Sequence, residues 1–134
     1  MSVLEVKSLR KRFGDVEVLR GIDLKLERGA VVSIIGSSGG GKTTLLRCLN
    51  FLERANSGEI LVNDKSVYCA VEGEKPVVTP EAQLSFRLVF QQFNLYNNLT
   101  VLENCTLPQI KVLGKSKEEA KKNAMYYLEK VGMA

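Results

Sequence analysis

The sequence predicts an α/β fold, in which an antiparallel β region leads into a strand, a glycine-rich loop and a helix. Two observations support this prediction. An apolar run at residues 30–35 stands directly before a glycine-rich segment, and residues 22–27 alternate apolar and charged side chains, as a half-buried antiparallel strand does. After the glycines, apolar residues recur at spacings that suit a buried helix face: Leu45, Leu46, Cys48, Leu49 and Leu52.

Local signals predict the other elements of the first two thirds of the chain. Turn residues such as Gly14 and Gly29 separate the N-terminal strands, and Gly58 ends the unit that contains the glycine-rich loop. In chain order we expect a strand at residues 3–6, the strands at 22–27 and 30–35, a helix at about 42–53, a strand starting at 60–62, a loop or hairpin insertion at 63–80, and a mixed helix-end and strand segment at 84–90.

Two capping boxes predict the last two helices. Thr100 with Glu103 opens a helix that runs to about residue 113 and is closed by Gly114, and Ser116 with Glu119 opens a second. In the second helix one face is apolar, and we expect it to pack in a core. The residues of that face are Ala120, Ala124, Tyr127, Leu128 and Val131.

Composition limits the class of protein. The chain has 134 residues, 45% of them hydrophobic and 25% charged, which suits one modest globular core. Its net charge of +4 comes without a basic stripe interleaved with aromatic residues, so we expect no nucleic-acid partner. The three cysteines lack a C-x-x-C pairing and the chain has no histidine, which disfavours a zinc site and a disulfide framework. No segment is long and apolar enough to span a bilayer or resembles a signal peptide, so we expect a cytoplasmic protein.

Residues 36–44, here called the phosphate loop, fit the pattern G-x-x-x-x-G-K-[ST] that binds nucleoside triphosphates. Successive backbone N–H groups of such a loop point at the phosphates, and the following helix contributes its positive N-terminal end. Lys42 would reach the β- and γ-phosphates, and the Thr43 hydroxyl would ligate Mg²⁺. The residues expected to bind nucleotide here are Gly36, Ser37, Ser38, Gly39, Gly40, Gly41, Lys42, Thr43 and Thr44.

Two residues outside the phosphate loop indicate which class of phosphate-loop protein this chain resembles. The guanine-binding pattern Asn-Lys-x-Asp of GTPases is absent, and no acceptor or lid element of a small kinase is evident. Phe13 stands before a turn in the N-terminal β region, and Gln91 ends an apolar run. With the phosphate loop between them, this order resembles the ATP-binding subunits of ABC transporters. Residues 46–53, 89–104 and 111–114 look most like the subfamily that serves polar amino-acid uptake, and the resemblance covers essentially the whole chain.

The resemblance implies a P-loop NTPase fold with a RecA-like core and assigns roles to single residues. Phe13 would stack on adenine, and an ordinary strand residue is the lesser alternative. Gln91 would touch Mg²⁺ and the attacking water, with Gln92 as the alternative position. ATP and Mg²⁺ are therefore the expected ligands. Residues 1–92 would form the N-terminal part of the ATP-binding domain, and residues 93–134 would begin its helical subdomain.

The apolar residues after Gln91 imply a partner. Phe93, Leu95, Tyr96 and Leu99 would contact the membrane-spanning subunits of a transporter, or would be buried against the chain's own helices. The resemblance also implies a homodimer and a peripheral location on the inner face of the cell membrane. A non-catalytic nucleotide-binding module and an ABC-type ATPase outside transport remain alternatives.

Several elements that the family uses for hydrolysis are missing from the sequence. No Asp follows Asp64, so there is no strand ending in Asp-Glu, and neither the signature Leu-Ser-Gly-Gly-Gln nor a histidine is present. The resemblance therefore implies an N-terminal portion that binds MgATP weakly and hydrolyses it negligibly. In the family the strand at 31–35 is flanked by strands that come later in sequence, so we expect its edges to be bare here.

Overall fold

The computed structural model describes residues 2–134, which form two compact units, residues 2–89 and Phe90–Ala134. The first unit contains a sheet of five strands in the order β2-β1-β3-β4-β5, and all of its described pairings are antiparallel. The bounds are β1 Ser2–Phe13, β2 Val16–Glu27, α1 Lys42–Leu49, β3 Ser57–Val62, β4 Lys65–Ala70, β5 Val77–Val78, α2 Ala82–Ser85, α3 Val101–Lys111 and α4 Lys117–Lys130.

One face of this sheet and helix α1 form the core of the first unit. Val6 and Leu9 of β1 and Ile60 of β3 are almost fully buried, and Leu45 and Cys48 of α1 belong to the same cluster. Val6 and Leu9 are three residues apart, so strict alternation along a strand would put them on opposite faces. The register of β1 shifts between them, where Ser8 has a φ of +49°, and this irregularity lets both side chains lie in the core. The predicted antiparallel strands are confirmed, and β1 is longer than the expected strand at 3–6.

The predicted strand at residues 30–35 does not form, so that prediction is wrong. The segment has no strand assignment, and Val31 and Ile35 are each 93% exposed. Among residues 2–134 no strand pairs with it, and an isolated extended segment has no partner for its backbone N–H and C=O groups. Within the described residues the sheet is therefore the antiparallel β region, and the parallel sheet of a RecA-like core is not seen.

Two further boundaries differ from the expectation. Helix α1 ends at Leu49, not near residue 53, and Leu46 and Leu52 are 41% and 49% exposed. After α2 the chain runs without regular structure through residues 86–90, so the strand expected there is absent from the described part. Leu46 and Leu52 therefore lie outside the core, whereas Phe86 packs against it.

The hairpin alternative for residues 63–80 is confirmed. Asn63 and Asp64 both have positive φ, +49° and +63°, and join β3 to β4 as the two-residue turn typical of a tight hairpin. The Tyr68 hydroxyl on β4 donates a buried hydrogen bond of 3.1 Å to the Ala55 carbonyl. That bond ties the hairpin to the segment that leaves α1.

The second unit consists of α3 and α4. The capping box at Thr100 is confirmed, because its hydroxyl accepts from the Glu103 N–H and the Glu103 carboxylate accepts from the Thr100 N–H. At Ser116 only half of the predicted capping box forms. The Ser116 hydroxyl accepts from the Glu119 N–H at 3.2 Å, and in the described residues no bond runs from the Ser116 N–H to the Glu119 carboxylate. On the apolar face of α4, Ala120 and Ala124 are buried as expected, whereas Tyr127 and Val131 are 65% and 68% exposed. No helix among residues 2–134 is long and apolar enough to cross a membrane.

Candidate nucleotide-binding site

The phosphate loop leads into α1 through glycines in conformations that other residues avoid. Gly39 and Gly41 have φ of +80° and +93°, and Gly41 is the N-cap of α1 without a capping side chain. No acidic residue lies in the first turn of α1. The N-terminal N–H groups of the helix therefore remain available, together with the positive end of its dipole, for an anion.

Lys42 closes the loop on itself. Its ammonium donates to the Gly36 carbonyl and to the Ser37 carbonyl, each at 2.6 Å. An ammonium has three N–H donors, so one remains for a ligand oxygen. These contacts hold the ammonium against the start of a loop whose residues 36–40 are exposed.

Close packing explains two of the glycines. A Cβ on Gly41 would lie 3.0 Å from Val18 Cγ1 and 3.2 Å from the Val18 carbonyl oxygen. At Gly40 a Cβ would lie 3.1 Å from the Ser37 carbonyl oxygen. The Gly40 N–H donates to that same oxygen at 3.1 Å, which makes a tight turn. The loop is thus seated against β2 at Val18, a contact that residue patterns in the sequence did not reveal.

The Thr43 hydroxyl is a suitable ligand for Mg²⁺ that is bound together with phosphate. Thr43 is exposed and, within residues 2–134, its side chain makes no hydrogen bond. The described residues contain no cluster of three or more acidic, histidine or cysteine side chains that could hold a metal alone. Mg²⁺ in proteins is commonly held by few protein oxygens and by substrate phosphates, so the chain fits Mg²⁺ only as a complex with a nucleotide.

Phe13 lies at the end of β1, close in register to the seat of the phosphate loop. It pairs with Val16 on β2, two residues before Val18, which contacts Gly41. Two residues along a strand span about 7 Å, and the register between β1 and β2 shifts at Val18. The Phe13 ring is 45% exposed, and the Lys11 ammonium lies 4.8 Å from its centroid. Lys11 is a neighbour of the site that the sequence did not single out.

Gln91 and Gln92 belong to the second unit and are exposed. The apolar residues that follow them are exposed as well, with Phe93 at 92%, Leu95 at 62% and Tyr96 at 61%. Of the two alternatives for these three side chains, burial against the chain's own helices is therefore wrong. Leu99 is half-buried.

Comparisons with known proteins identify the family of this chain. The family model described as ABC transporter matches residues 19–134. The histidine/lysine/arginine/ornithine transport ATP-binding protein HisP of Escherichia coli is 46% identical over 97% of this chain and 53% of its own length. The glutamine transport ATP-binding protein GlnQ of Geobacillus stearothermophilus is 46% identical over 93% of this chain and 50% of its own length. The chain thus spans about half the length of the curated relatives it matches.

Solved structures give the same result. The ATP-binding cassette MJ0796, a dimer in a post-hydrolysis state bound to ADP and Pi, superposes with a TM-score of 0.71 at 30% identity, over 94% of this chain and 56% of that one. For cbiO1 of Clostridium perfringens the TM-score is 0.72 at 24% identity, over 98% of this chain and 51% of that one, which shows the fold alone. The family model covers most of these 134 residues, and the chain belongs to the ABC transporter family.

Proposed function

We propose that this chain binds ATP through the phosphate loop and serves as the ATP-binding component of an importer of polar amino acids. The observation that supports this most directly is the loop conformation, in which Lys42 holds the Gly36 and Ser37 carbonyls at 2.6 Å and Gly41 leads into α1. The transport of histidine, lysine, arginine and glutamine by the named relatives supports the substrate class.

The nucleotide would lie with its phosphates in the loop and its base beside Phe13. The free donor of Lys42 and the first N–H groups of α1 would bind the β- and γ-phosphates. Phe13 would stack on adenine, an attraction that tolerates different bases because every base has a π face. Selectivity for ATP over other triphosphates would therefore be modest.

Mg²⁺ would come with the nucleotide and neutralise phosphate charge. Thr43 would hold it through its exposed hydroxyl, and Gln91 would supply an amide oxygen to the ion and to the attacking water. No other group in these 134 residues is proposed to activate water, because the Asp-Glu strand, the signature and the histidine are all missing. The 134-residue chain would therefore hold MgATP weakly and hydrolyse it negligibly.

Partners would meet the chain at the apolar residues after Gln91. Exposure of Phe93, Leu95 and Tyr96 is costly in water and supports a contact with membrane-spanning subunits. Such a contact would hold the protein on the inner face of the cell membrane. The dimer reported for the related cassette supports a homodimer for the whole protein.

Equilibrium dialysis with labelled ATP tests the proposal. We expect Lys42→Ala to weaken ATP binding by about 10- to 100-fold, since charge-assisted hydrogen bonds are lost. Lys25→Ala, which removes an exposed lysine of β2, is the matched control and should bind like the parent. Equal ATP affinity in Lys42→Ala and the parent would refute the assignment.

Two further measurements separate the alternatives. Phosphate release by the purified chain that Lys42→Ala abolishes would contradict the absence of hydrolysis. Labelled ATP binding with and without membranes that contain an amino-acid importer's spanning subunits separates transport from the other functions. A Phe93→Ser, Tyr96→Ser variant should lose co-sedimentation with those membranes and keep ATP binding. ATP binding that is the same with and without membranes, in both the parent chain and the double variant, would favour a non-catalytic module or an ATPase outside transport.

A further inference from the structure

Lys11 differs from the other basic residues of β1. Its side chain is only 13% exposed, whereas those of Lys7, Arg10 and Arg12 are each about half exposed, at 50%, 50% and 48%. The long side chains around it extend into water, as lysine and arginine usually do. A lysine that is drawn in from the surface needs partners to offset the loss of hydration.

Three partners surround the Lys11 ammonium. It donates to the Arg54 carbonyl at 2.8 Å, lies 3.4 Å from the Glu53 carboxylate, and lies 4.8 Å from the centroid of the Phe13 ring. Residues 11 and 13 point to the same face of β1, which brings the cation beside the ring. The distance to the ring is within the range of a cation–π interaction.

These contacts fix the ring of Phe13 on one side. A phenylalanine at the end of a strand has two free side-chain torsions and would otherwise turn in solvent. The ammonium takes one side of the ring, while the exposure of 45% leaves another side open. The ring is thus held as a one-sided stacking surface before any base arrives, which lowers the entropy cost of binding.

The same ammonium ties this surface to the phosphate loop's helix. Glu53 and Arg54 lie in the segment that leaves α1, and the N-terminus of α1 carries Lys42. Movement of α1 relative to β1 would break the bonds of Lys11. The distance between the stacking surface and the phosphate loop is therefore set from both ends of one helix.

We propose that Lys11 is a positioning residue for nucleotide binding, which holds Phe13 in the orientation that stacks on the base and couples it to the phosphate loop. The proposal rests on the proposed function of Phe13 and the loop. In this arrangement Lys11 touches no phosphate, so it contributes to the binding of the base and not to the binding of the triphosphate.

The test compares ATP with inorganic tripolyphosphate, which has no base, by calorimetric titration of the full chain with Mg²⁺. Lys11→Met keeps the aliphatic stem and removes the charge. We expect it to weaken ATP binding by about two- to fivefold, the size of a cation–π contact, and to leave tripolyphosphate binding unchanged. Lys11→Arg keeps the cation and should restore ATP affinity, and Lys7→Met, on the exposed face, is the control. In a Phe13→Ala background, Lys11→Met should have no further effect.

Each outcome is decisive. Equal losses for ATP and tripolyphosphate, or a loss that persists in the Phe13→Ala background, would assign Lys11 a structural role only and overturn the proposal. Unchanged ATP binding in Lys11→Met would overturn it as well, with the proposed function intact. If the parent binds neither ligand, the proposed function fails and this inference fails with it. Far-ultraviolet circular dichroism of each variant confirms that the sheet is retained.

Discussion

Gly41 joins the phosphate loop to α1 with a φ of +93°, and its missing side chain lets the loop rest on Val18 of β2. Gly39, two residues earlier, has a similar φ of +80° but no atom within 4 Å of the place where a Cβ would stand. Gly39 is therefore required only for its backbone conformation, whereas Gly41 is required for its backbone conformation and for close packing. Both requirements operate within one loop.

Gly41→Ala should destabilise the first unit more than Gly39→Ala. Both variants bear the cost of a left-handed alanine, about 1 kcal/mol. Gly41→Ala adds overpacking against Val18, typically about 1–3 kcal/mol. Urea unfolding measures both free energies, and ATP binding should fall with Gly41→Ala. Equal losses of stability in the two variants would show that β2 accommodates the added methyl group at residue 41 without a further loss of unfolding free energy.

Cys48 of α1 lies in the core, and burial raises the pKa of its thiol from 9.0 to about 11, partly offset by the Lys11 ammonium. Burial likewise raises the pKa of the Tyr68 hydroxyl. In both groups the folded state favours the neutral form. Alkaline pH ionises the unfolded chain first, so stability is full below pH 9 and is lost as pH rises through the folded pKa.

The free energy of unfolding should therefore fall between pH 9 and about pH 11. Cys48→Ala removes one of the two groups, so its stability should start lower, because a cavity is formed, and should fall less steeply over this range. Urea melts at half-unit steps of pH measure the slope. A slope that Cys48→Ala leaves unchanged would mean that the thiol does not contribute.

Among the elements, α3 depends most visibly on local signals. Its capping box pairs the Thr100 hydroxyl with the Glu103 N–H at 3.1 Å and the Glu103 carboxylate with the Thr100 N–H at 2.7 Å. Asn104 adds a hydrogen bond of 2.8 Å from the Tyr96 N–H, which fixes the loop before the helix. None of the residues of α3 is buried, so the helix has little packing to replace a lost cap.

Thr100→Ala should destabilise the start of α3 by about 1 kcal/mol, the usual cost of losing an N-cap hydroxyl. Hydrogen exchange of the amides of the first turn should quicken about fivefold, which corresponds to that free energy. Thr100→Ser keeps the hydroxyl and is the matched control. Faster exchange in the serine variant as well would show that the methyl group, and not the cap, stabilises the turn.

For the whole molecule, residues 30–35 are the most consequential surface. Val31 and Ile35 are both 93% exposed, and no described strand takes up the backbone groups between them. An apolar extended segment of this kind is a template for pairing with another chain. We therefore expect the 134-residue chain to self-associate through it.

Val31→Lys should reduce that association, because a charge at the centre of a strand pairing is costly. Sedimentation velocity across a concentration series measures the change in mean mass. Val112→Lys, which alters a residue 72% exposed in the second unit, is the control and should associate like the parent. A parent chain that stays monomeric at high concentration and melts cooperatively would contradict the expectation.

The sequence by itself determined the features that depend on neighbouring residues. The phosphate loop, the Asn63–Asp64 turn region, the cap at Thr100 and the alternation of β2 all depend on chemistry within a few positions of the chain. Such signals act before any tertiary contact forms. For the same reason the order of Phe13, the loop and Gln91 was enough to indicate the family.

Only the tertiary structure decided which apolar residues find a partner and which side chains support the site. A buried-looking run at 30–35 is a strand only where other strands bond to it, and in residues 2–134 none does. Gly41 packs on Val18 of β2, and the Lys11 ammonium, which lies beside Phe13, bonds to the Arg54 carbonyl after α1. These contacts join residues that are far apart in the sequence, so no local pattern predicts them. Local chemistry specified the loop that would hold phosphate, and packing between elements decided what holds that loop and its aromatic neighbour in place.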